Sequence, residues 1–114
     1  MDATSIDADT RRSVELCLDR YRHEYSVAGA YLFGSRARGD HQADSDADVA
    51  VILDGPKGRS VSVACDMAGA EFDVMLETGI LVSSLPIWLE DWNNPSGHSN
   101  PHLIANIKRE GIAL

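Results

Sequence analysis

The stretch LFGSRARGDHQADSDADVAVIL, Leu32 to Leu53, decides the fold. It opens on the end of one apolar run, turns at Gly34-Ser35, carries Arg36 and Arg38, and closes on a second apolar run. Five aspartates fall between residues 40 and 54, and no Lys or Arg lies between Gly39 and Pro56. Uncompensated negative charge directly before a buried strand needs a physical reason.

Asp46 and Asp48 stand two apart at the head of ADVAVIL, 47–53, which reads as a strand stopped by Asp54-Gly55-Pro56. Side chains alternate along a strand, so both carboxylates point to one face. Two such groups repel unless a cation lies between them. An oxygen-only, doubly anionic, partly open site suits Mg²⁺, which keeps waters and takes phosphate oxygens as further ligands. Gly34-Ser35 follows VAGAYLF, 27–33, a short apolar run that reads as a buried strand. A glycine there lets the backbone approach a ligand, and successive amides in such a turn make an anion nest. Arg36 and Arg38 add fixed positive charge. A phosphate-binding turn beside a metal-binding pair has the parts of a phosphoryl or nucleotidyl transfer site. An Asp-x-Asp or a Gly-Ser alone is a weak signal; the ordered combination is a sharp one.

The remaining chain supplies a scaffold. The 114 residues fit one domain, 1–114, with residues 1–8 as a loose polar end. Val14, Cys17, Leu18, Tyr21 and Tyr25 recur at helical spacing, predicting an amphipathic helix from Asp9 to Tyr25. Val61, Ala64, Cys65, Ala68, Phe72, Met75 and Leu76 predict a second helix over 60–77, with Thr78-Gly79 as its stop. A rival reading makes EFDVML, 71–76, a strand. ILVSSLPI, 80–87, reads as a third strand ending at Pro86, and WLEDWNNPSGHS as a loop or short turn. Asn100 caps a last helix with Pro101 at its first position and Gly111 just past its end. The apolar tail Ile112–Leu114 packs or pairs with a neighbour. The order of elements is that of an α+β domain on a small sheet.

Composition narrows the partners. A net charge of −8 argues against general nucleic-acid binding, which needs a basic face. No apolar run is long enough for a membrane span, and the acidic start MDATSIDADT is no secretory signal. Cys17 and Cys65 lack any paired or metal-binding spacing and read as reduced thiols of a cytoplasmic protein. His98 and His102 read as surface histidines, and His41 receives no role. Trp88 and Trp92 are expected to pack the C-terminal segment onto the sheet.

The spacing Gly34-Ser35, ten residues, Asp46-Ala47-Asp48 resembles the signature of the minimal nucleotidyltransferases of the DNA polymerase β superfamily, and the resemblance spans residues 10–90. It implies a nucleotidyltransferase fold, a small mixed sheet flanked by helices. It implies that Gly34 and Ser35 hold a nucleoside triphosphate, ATP in the first instance, and that Asp46 and Asp48 hold Mg²⁺ and carry catalysis. Arg36, next to Ser35, is given a phosphate contact. Catalytic members carry a third carboxylate on the next strand. The matching position is near Leu81 if 80–87 is that strand, or Asp73 if 71–76 is. The chain after the strands is short, so the acceptor is expected on a separate protein or across a homo-oligomer interface. Resemblance further implies a small helical HEPN protein as partner, in a toxin–antitoxin pair. The alternative is a non-catalytic acidic binding or antitoxin module that has lost the third carboxylate.

Overall fold

The helix expected from Asp9 is α1 (Ala8–Glu24) in a computed structural model that describes residues 6–56, 58 and 60–114. Asp7 caps it by accepting from the Thr10 amide, and its other carboxylate oxygen accepts from the Thr10 hydroxyl. Ile6 is buried, so the expected loose end does not extend to these two residues; residues 1–5 lie outside the described residues. After α1 come β1 (Val27–Phe33), α2 (Ser35–Arg38), β2 (Ala47–Leu53), α3 (Ser60–Thr78) and β3 (Val82–Trp88). The chain ends with α4 (Leu89–Asn93), a 3₁₀ turn (Pro95–Gly97), α5 (Pro101–Glu110) and β4 (Ile112–Ala113).

The four strands form one mixed sheet in the order β3-β2-β1-β4. β1 runs antiparallel to both β2 and β4, while β2 and β3 are parallel. The parallel pair requires a crossover, and α3 provides it. β2 is central and apolar along nearly its whole length, as a strand covered on both faces must be. Ala47, Val49, Val51 and Leu53 face α1 and α3, where Leu18, Tyr21, Met67 and Val74 complete the larger core. Ala50 and Ile52 face the other way, onto Ile87, Ile104 and Ile107 beneath α5. Each fully buried isoleucine there contributes about 1.5–3 kcal/mol of transfer free energy. Among the described residues no helix is long and apolar enough to cross a membrane.

Three expectations need correction in detail. The helix over 60–77 is real and excludes a strand at 71–76, but its buried face differs from the expected one. Met67, Ala70 and Val74 are buried, whereas Phe72 and Leu76 are 55% and 69% exposed. α3 is apolar on more than one side, so spacing alone could not choose; Met67, Ala70 and Val74 pack into the core with Leu18 and Tyr21 of α1, and exposed ion pairs join Asp73 to Arg20 and Glu77 to Arg12. Pro86 does not end β3, which continues to Trp88. β3 is an edge strand, where a missing N–H costs nothing if it points outward. WLEDWNNPSGHS contains α4 and the 3₁₀ turn rather than a plain loop. The tail pairs with β1 through Tyr31 and Leu32. Trp92 stacks on Tyr31 with ring centroids 4.9 Å apart, and Trp88 is buried in the larger core.

Candidate functional site

β1 ends at Phe33 and the chain turns at once. Gly34 has φ 75°, ψ −158°, a backbone conformation essentially closed to residues with a Cβ. There is a second reason for glycine: a Cβ at position 34 would sit 2.5 Å from Asp48 Oδ2. The antiparallel register places Phe33 opposite Asp48, so the turn that follows β1 lies against the Asp48 carboxylate. Gly34 of the turn and Asp48 of the Asp-x-Asp pair, fourteen positions apart in the chain, are thus in contact. Ser35 opens α2, and the first amides of a helix have no intrahelical acceptor.

Asp46 is exposed just before β2, and Asp48 is half-buried within it. Burial raises the Asp48 pKa above the usual carboxylate range, and the negative charge of Asp46 raises it further; Arg38 acts in the opposite direction. That pattern is what two neighbouring carboxylates without a cation between them produce. It also tests the donor set against a divalent cation: partly desolvated, mutually repelling oxygens beside an open turn fit a hard cation that retains waters.

The two arginines of the turn do different work. Arg36 is buried, 4% exposed, and its guanidinium donates to Thr10 Oγ1, to the Ala43 carbonyl and to the Ser45 carbonyl. It clamps the loop between α2 and β2 onto α1, and so sets where Asp46 starts. This departs from the expected phosphate contact, because the fork is committed to protein oxygens behind the turn. Arg38 is exposed, pairs with Asp40 at 3.2 Å and bears electrostatically on Asp48. Arg38 is therefore the cation of the turn that faces the carboxylates. Its place in the turn was visible in the sequence; which arginine would be consumed by the scaffold was not.

Asp73 lies on α3 and is paired with Arg20 at 2.6 Å, on the helical layer that covers the opposite face of β2. The neighbour of Asp48 on β3 is Ser83, not Leu81, by the parallel register. Leu81 stands just before β3, 38% exposed, its carbonyl accepting from the Ala47 amide. Sequence reasoning missed Ser83 because parallel register across a long crossover leaves no local signal. Among the described residues no three His, Cys, Asp or Glu side chains converge as a group.

The remaining candidates fall elsewhere. His98 Nδ1 accepts from the Asn100 amide, and His102 is exposed on α5. His41 Nε2 lies 3.5 Å from Asp7. A cavity of about 370 Å³ is lined by Asp7, Arg36, His41, Thr78 and Ile80, and none of Gly34, Ser35, Asp46 or Asp48 borders it. Its walls are the capping and clamping groups already described. Cys17 is buried, its thiol pushed up to about 11 by desolvation, which makes it a poor nucleophile.

Comparison with known proteins follows the same lines. The family model described as a nucleotidyltransferase domain matches residues 14–112, a span that includes the turn, the carboxylate pair and strands β1, β2 and β3. A crystal structure of a candidate nucleotidyltransferase from Sulfolobus solfataricus superposes with a TM-score of 0.52 at 22% identity, covering 75% of this chain and 75% of that one. At that identity the likeness speaks for the fold. No curated protein matches the chain significantly.

Proposed function

Since the chain belongs to the nucleotidyltransferase domain family, we propose that it binds a magnesium–nucleoside triphosphate complex, ATP in the first instance, for transfer of the nucleotidyl group to a protein or small-molecule acceptor. The observation that carries this reading is the contact of Gly34 with the half-buried Asp48 carboxylate, whose charge is disfavoured by Asp46 beside it. Asp46 and Asp48 would hold the cation, which neutralises phosphate charge and activates the reacting oxygens when bound. Ser35 and the amides opening α2 cradle the triphosphate. Arg38 supplies an exposed positive charge beside the carboxylates, and Arg36 holds the loop that carries Asp46. Asp46 is exposed and Asp48 half-buried, so the pair is reachable from solvent.

A net charge of −8 disfavours a general nucleic-acid acceptor. α5 packs on the sheet through Ile104 and Ile107, and the acceptor in this reading is carried by a partner such as a small helical HEPN protein. A second reading, a binding module without turnover, is favoured by Ser83 and Leu81 standing where the adjacent strand meets the carboxylates.

Calorimetric titration with a non-hydrolysable ATP analogue, with and without Mg²⁺, tests the proposal. Asp46→Asn and Asp48→Asn should each remove the Mg²⁺-dependent part of binding. Wild-type affinity in both variants sinks it.

A further inference from the structure

Resting on that reading, we propose that the site takes a single divalent cation together with its nucleotide, and that Ser83 is the residue that limits it to one. The strand neighbours of Asp48 are fixed by register: Phe33 on β1 and Ser83 on β3. Residues paired across strands share a face, and the cores confirm the alternation, since Ile52 and Ile87 pack together on the face opposite to Val49 and Val82. The side chain beside Asp48 is therefore a neutral hydroxyl. Leu81, two positions earlier, offers no oxygen in its side chain.

Among the described residues no third carboxylate joins Asp46 and Asp48 as a group. Asp73 is paired with Arg20, and Glu71 accepts from the Ser84 amide, both on the α3 layer across the sheet. Asp40 is paired with Arg38. A first Mg²⁺ is fully provided for: one or two carboxylates, phosphate oxygens and waters complete its octahedron. A second cation about 3.5–4 Å away would face the first with only a serine hydroxyl and a leucine at its side. Its repulsion from the first cation would be uncompensated by any further anion from the chain. The same vacancy in charge leaves no side chain on β3 to take a proton from an acceptor hydroxyl.

Counting bound Mn²⁺ by electron paramagnetic resonance tests this, on the full chain saturated with a non-hydrolysable ATP analogue and corrected for Mn²⁺ held by free analogue. Binding of the analogue is measured in the same samples by equilibrium dialysis. One Mn²⁺ per chain is expected for wild type and for Ser83→Ala, and a second one for Ser83→Asp. Ser83 is exposed, so both variants should fold. Two Mn²⁺ in wild type, or one in Ser83→Asp, overturns the inference while leaving nucleotide binding intact. Failure of the analogue to bind at all overturns the underlying reading and the inference with it.

Discussion

Asp48 is held in a state that costs the fold something. Its pKa is raised in the folded chain by burial and by Asp46, so the folded state binds that proton more tightly than the unfolded chain does. Ionisation of Asp48 therefore subtracts stability as pH climbs from below the ordinary carboxylate pKa to above the raised one. A group retained at such a cost is the mark of a site that expects a counter-ion. Asp48→Asn should raise the melting temperature at pH 7 in the presence of a chelator, with the gain shrinking toward pH 4. It should also lose whatever thermal shift Mg²⁺ and nucleotide give the wild type. Thermal melts across that pH range check both, and a variant less stable than wild type at pH 7 contradicts the electrostatic account. Arg36 shows the opposite economy: a charge that the sequence made look functional is spent on three protein oxygens.

Among the elements, α3 and β3 explain why parts of this fold were hard to read. The runs 27–33 and 47–53 are short, apolar and bounded by turn residues, so β1 and β2 could be placed to the residue. α3 is different. Its apolar positions outnumber one stripe, and the buried set was decided by packing against α1 and the sheet, whose residues lie far away in the chain. Met67→Ala should cost about 2–4 kcal/mol through the lost transfer energy and the cavity it leaves. Phe72→Ala should cost under about 0.5 kcal/mol, because the ring is largely in water. Urea denaturation of the two variants decides it, and equal losses would mean the helix is rotated from its described position. β3 is held as an edge: Glu71 accepts from the Ser84 amide, the Ser84 hydroxyl bonds Tyr21, and Pro86 offers no donor. Those contacts protect the edge from further strand pairing, and they fix the register that brings Ser83 beside Asp48.

For the molecule as a whole, the mixed sheet serves to bring a turn after one strand against carboxylates at the start of another. That contact was legible in the sequence as a spacing, because a hairpin-like antiparallel pair fixes which residues meet. The completeness of the site was not legible, because it depends on the parallel neighbour reached through α3. The acidic balance of −8 suits the proposed meeting with a nucleotide through a cation. The most direct measurement is the ¹⁵N–¹H spectrum of the chain with a non-hydrolysable ATP analogue and substoichiometric Mn²⁺. Paramagnetic broadening should be strongest at the amides of Gly34, Ser35, Asp46, Asp48 and Ser83 and weakest at α3 amides such as Gly69. Broadening centred elsewhere, or none at those five positions while nucleotide and Mn²⁺ are bound, would contradict the account.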